Sequence, residues 1–85
     1  MKYYTYILKS FKNNKIYVGS TQNIEKRVDS HNAGKVKATQ FYKPWKLLDY
    51  EAHNSKNEAI LREKFLKTHQ QKEMLKKKFG LVAKW

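Results

Sequence analysis

Two β-prone runs, Lys2 to Lys9 and Lys15 to Gly19, flank the polar stretch "SFKNN". Asn13 and Asn14 there tolerate the positive φ of a tight turn, so the pattern predicts a hairpin. After Asn23 the period changes. Ile24, Arg27, Val28 and His31 recur at spacings of three and four, which predicts a helix capped by Asn23 and stopped by Gly34. The segment "GKVKATQFYKP" has no period and reads as a basic loop. "WKLLDYEA" then predicts a third strand whose alternation is imperfect. Ser55 and Glu58 form the S-x-x-E capping box of a second helix, with Ile60, Leu61 and Phe65 available for the core. A third helix around Gln71 to Phe79 is expected to stop at Gly80. The order β-β-α-β-α-α predicts an α/β fold, a small three-stranded antiparallel sheet with flanking helices. Without a repeat, a low-complexity segment or a linker, residues 1–85 read as a single domain.

Hairpin parity adds detail. If the loop is Phe11 to Asn14, Tyr6 lies opposite Gly19 and Leu8 opposite Tyr17, so Tyr6 and Tyr17 share a face as diagonal neighbours about 7 to 8 Å apart. Gly19, having no side chain, leaves the surface opposite Tyr6 vacant, with room for a phosphate. The plainer reading is that the tyrosines pack a core and Gly19 begins a turn; parity alone favours it.

Charge narrows the partner. Nineteen basic residues, two of them arginine, stand against seven acidic ones for a net charge of +12, more than folding requires. Aromatics interleaved with the lysines point to nucleic acid. A membrane surface is the competing polyanion, but no basic stretch carries the long apolar face it needs, and no apolar run approaches the roughly 20 residues of a span. The absence of cysteine excludes disulfides and thiolate metal sites and suits a reducing cytoplasm. The N-terminus has no apolar leader pattern, and no histidine pair has the spacing of zinc ligands.

"YTY", ten residues, then "YVG" resembles the signature of the GIY-YIG nucleases, with Tyr4 and Thr5 in place of Gly-Ile and Val18 in place of Ile. The resemblance continues through an Arg and a His four apart on the following helix, Arg27 and His31, and a Glu on the next long helix, Glu63. It covers nearly the whole chain and is nearest to the small stand-alone bacterial members related to the nuclease module of UvrC. It implies hydrolysis of DNA phosphodiesters with one divalent ion, Mg²⁺ or Mn²⁺, held by Glu63. Arg27 would meet phosphate oxygens, His31 would orient or protonate, and Tyr6 and Tyr17 would position the attacking water or act as base. Expected nucleic-acid contacts are Lys15, Gly19, Lys35, Lys37, Lys43 and Lys46. With no room for a target-reading domain, sequence preference should be weak, and RNA or single-stranded or branched DNA are further substrates. The alternative function is a DNA- or RNA-binding module that keeps the scaffold without turnover.

Overall fold

A computed structural model describes residues 2–79. The hairpin forms from β1 (Tyr3–Ser10) and β2 (Ile16–Thr21), paired antiparallel with Tyr6 opposite Gly19 and Leu8 opposite Tyr17. Its turn is closed by Ser10 N–H to Lys15 O and Asn14 N–H to Ser10 O, and Asn14 alone of the two asparagines takes positive φ, at 60°. Helix α1 (Ile24–Asn32) follows. Asn23 caps it by accepting from Lys26 N–H, and Gly34 at φ +76° turns the chain away.

Strand β3 (Trp45–His53) pairs antiparallel with β1, giving the sheet order β2-β1-β3. Its imperfect alternation has a structural cause. The register shifts between Ile7 and Leu8, which pair with Asp49 and Leu47, so Leu48 is an extra residue in β3. Leu47 packs with Tyr6, Leu8 and Trp45 on one face, and Leu48 with Ile7 and Val18 on the other.

Helices α2 (Lys56–Leu66) and α3 (His69–Lys78) complete the order β-β-α-β-α-α. The capping box is present: Ser55 accepts from Glu58 N–H, while the Glu58 carboxylate reaches back one residue further than usual, to Asn54 N–H. The buried face of α2 differs from the one expected. Ala59 and Leu66 are buried, Ile60 is half-buried, and Leu61 and Phe65 are 66% and 47% exposed. Thr5 donates to Ala59 O and fixes the helix rotation, so the inward stripe runs Ala59, Glu63, Leu66 and leaves Leu61 and Phe65 outside. The expected stop at Gly80 lies outside the described residues; Phe79 is the C-cap.

The sheet is thus covered on both faces. Ile7, Ile16 and Val18 meet Leu66 and Leu75 of the second and third helices, while Tyr6, Leu8 and Trp45 meet Val28 of the first. No helix among the described residues is long and apolar enough to cross a membrane.

Candidate active site

Tyr6 is the centre of the α1 face. Its side chain is 1% exposed, and its hydroxyl accepts from Arg27 Nε at 3.3 Å and lies 2.9 Å from His31 Nε2. His31, fully buried, sits 2.7 Å from Thr39 Oγ1 through Nδ1, and Thr39 Oγ1 donates to Val36 O at 3.3 Å. That bond uses the Thr39 proton, so the network assigns the imidazole proton to Nδ1 and leaves Nε2 to accept from the phenol. Trp45 closes the base of the cluster by donating Nε1–H to Thr39 O at 3.0 Å.

Both central groups are neutral near pH 7. Burial pushes the Tyr6 phenol up to about 12, against the Arg27 hydrogen bond that draws it down. Burial, followed by the Arg27 charge, pushes His31 down to about 4. The Tyr6 bond in turn raises Arg27 further above its ordinary value. Tyr17 stands beside them, its ring centroid 5.0 Å from that of His31 and 6.3 Å from that of Tyr6. Unlike Tyr6 and His31, Tyr17 and Arg27 are only half-buried.

The space opposite Tyr6 is not vacant. A Cβ at Gly19 would lie 2.5 Å from the Tyr6 oxygen and 2.6 Å from Cζ, so the phenol itself occupies the place expected for a phosphate. Gly19 is buried and serves the site by letting the Tyr6 ring cross β2.

Glu63 approaches from the other side of the sheet. It belongs to α2, and its Oε1 accepts from Ser20, which pairs with Thr5 on the α2 face. Because β2 is an edge strand, the two faces meet around it. Lys67 makes the connection: its Nζ is 2.8 Å from Glu63 Oε2 and 5.5 Å from the centroid of the Tyr17 ring. Tyr6, Tyr17, Arg27 and His31 therefore share one face, and Glu63 joins them by way of the edge.

No three His, Cys, Asp or Glu side chains gather among the described residues; at this edge the carboxylate beside Ser20 and Lys67 is that of Glu63. Such a donor suits Mg²⁺, which takes one or two carboxylates and keeps several waters. Ser20 fixes the carboxylate, and Lys67 neutralises it as an ion would.

Sequence reasoning missed Ser20 and Thr39. Ser20 follows the second motif directly and so had a positional signal; Thr39, in a loop without period, had none. Lys15, Lys35, Lys37, Lys43 and Lys46 are all exposed.

Residues 2–78 match the family model described as the GIY-YIG catalytic domain. A UPF0213 protein of Staphylococcus haemolyticus is 43% identical over 76 residues, 88% of this chain and 92% of the relative. Another from Clostridium perfringens is 43% identical over 65 residues, 75% and 69% of the two chains. The solution NMR structure of a UPF0213 protein from Bacillus halodurans superposes with a TM-score of 0.55 at 35% identity, covering 88% of this chain and 82% of that one. With both tyrosine motifs on adjacent strands and the family model matched over residues 2–78, the chain belongs to the GIY-YIG family.

Proposed function

We propose that this chain is a divalent-metal-dependent endonuclease that hydrolyses DNA phosphodiesters at the β2 edge, with weak sequence preference. The observation that carries the reading is the bridge from Glu63 through Lys67 to Tyr17, beside the Arg27–Tyr6–His31 chain. A hard anionic donor, a phenol and a guanidinium are the groups that attack on a phosphate calls for, and the Glu63–Lys67–Tyr17 contact supports reading them as one site.

The residues divide by access. Tyr6 and His31 are sealed from solvent, and ionising a phenol with pKa about 12 at pH 7 costs about 7 kcal/mol, against about 4 for an ordinary tyrosine. Tyr6 is thus a poor base. Its work is to hold Arg27 by Nε, with Tyr17 also meeting the guanidinium, so that the fork is oriented for the non-bridging oxygens as charge builds in the transition state. His31, fixed by Thr39, holds Tyr6 in turn. Tyr17, half-buried beneath the Lys67 ammonium, is the phenol that can meet and orient the attacking water. Glu63 would hold Mg²⁺ or Mn²⁺ once Lys67 swings aside, and the ion supplies charge neutralisation for the phosphate and a more acidic water.

Incubation with supercoiled plasmid, single-stranded and branched DNA in Mn²⁺ should give cleavage that chelator abolishes and Mg²⁺ or Mn²⁺ restores. Glu63→Gln should be inactive with an unchanged circular dichroism spectrum. Cleavage that survives both chelator and Glu63→Gln refutes the assignment. Binding without cleavage in every condition identifies the chain as a nucleic-acid-binding module instead.

A further inference from the structure

Acidic residues are distributed unevenly along the chain. Residues 2–24 and 30–48 contain none, while between them they hold Lys2, Lys9, Lys12, Lys15, Lys35, Lys37, Lys43 and Lys46. The fold joins these two acid-free segments at the hairpin tip. Ser10 Oγ donates to Tyr42 O, Phe11 N–H donates to Pro44 O at 3.0 Å, and Lys12 Nζ donates to Phe41 O at 3.1 Å. At this junction stand three exposed aromatic side chains, Phe11 at 57%, Phe41 at 70% and Tyr42 at 43%. An exposed Phe on a turn contributes nothing to a core, and the two phenylalanines are each set among cations. Lys9 Nζ lies 5.6 Å from the Phe11 centroid, and Phe41 lines a cleft of about 440 Å³ between Lys12 and Lys43.

We propose that the hairpin tip and the loop carrying Phe41 and Tyr42 form a platform for unpaired nucleotides, on which bases stack while lysines hold the phosphates. Exposed aromatic faces suit bases whose own faces are free, which a duplex interior does not offer, and the surrounding positive charge selects a polyanion over an apolar protein partner. The inference deepens the nuclease reading by naming the substrate class, DNA with a single-stranded portion such as a flap, but its binding component stands without cleavage. The site and the platform are physically joined: the loop that presents Phe41 also supplies Thr39 to His31. Tyr17 pairs with Leu8, two residues and about 7 Å along β1 from Ser10, so cleavage beside Tyr17 falls a short, fixed distance from the stacked bases.

The test is fluorescence anisotropy with a labelled oligothymidine of 15 nucleotides and a blunt duplex of 15 base pairs, in chelator, so that no cleavage occurs. The single strand should bind at least about tenfold more tightly than the duplex. The double variant Phe11→Ala, Phe41→Ala should lose about 30-fold on the single strand and less than threefold on the duplex, with unchanged circular dichroism. Phe41→Trp, which keeps a π face, should bind like the wild type, whereas Phe41→Leu, which keeps only apolar area, should lose affinity. Equal binding of strand and duplex, or a double variant that binds the strand as well as wild type, overturns the platform. So does a concentration-dependent dimer, seen by sedimentation, that Phe41→Ala abolishes while strand affinity is unchanged. If cleavage fails but these binding results hold, the nuclease reading falls and the platform remains.

Discussion

Replacing Gly19 by alanine tests how the site is built into the sheet. The added Cβ would meet the Tyr6 hydroxyl at 2.5 Å, so the phenol has to retreat by about 0.9 Å to reach ordinary contact. It has little freedom to do so, because Arg27 Nε and His31 Nε2 hold the same oxygen at 3.3 and 2.9 Å. Breaking a hydrogen bond to a charged donor and one to a neutral partner costs about 2 to 4 kcal/mol in a buried setting. The better strand propensity of alanine returns about 0.5 to 1 of that, for a net loss of about 2 to 3 kcal/mol. Urea unfolding followed by fluorescence should show the midpoint falling by about 1 to 2 M. Cleavage should fall by about 100-fold at temperatures where the variant is folded, since a displacement near 1 Å misplaces Arg27. In a Tyr6→Phe background the same substitution should cost less, because the two hydrogen bonds are already gone. Wild-type stability and wild-type cleavage for Gly19→Ala would show that the phenol does not occupy the space over residue 19.

Two further outcomes follow from charge. His31 has a pKa of about 4 in the fold against 6.5 in the unfolded chain, so it is buried neutral and its contribution is fully present above pH 6.5. Urea stability should therefore fall by up to about 3 kcal/mol as pH drops from 6.5 to 4, and His31→Gln, though less stable at pH 7, should show a flatter profile over that interval. For duplex binding, engagement of about five lysines should give a slope near −4.5 for log affinity against log salt, measured by anisotropy in chelator; a flat dependence would remove nucleic acid as the partner.

Much of the fold was legible because its signals are local. An even hairpin loop fixes strand parity, so the pairing of Tyr6 with Gly19 followed from counting residues. Asn23 and Ser55 mark their helix starts by side-chain capping, which needs no tertiary information. What failed depends on distance. Whether Gly19 leaves a hole is decided by the direction of a ring on another strand, and that ring turned into it. The rotation of α2 was set by Thr5, 54 positions from Ala59, although Ile60, Leu61 and Phe65 looked the better apolar stripe. The same rotation carried Glu63 to the α2 face of Ser20, so four of the five motif residues share one face and Glu63 lies around the edge from them. Thr39 was invisible because a loop residue without periodicity acquires its role only when His31 is placed beside it.

The sealed half of the site has a consequence for how this protein can change over time. Tyr6, His31 and Thr39 are among its largest fully buried side chains, so in so small a domain residues of the candidate site are also structural filling. A relative without cleavage activity would still need these three to stay folded, and selection for stability alone would preserve them. Their presence in a related chain is therefore a weak sign of activity. Arg27 and Glu63, more open to solvent and less needed for packing, are the positions free to drift once turnover ceases, and they are the better markers of a working enzyme.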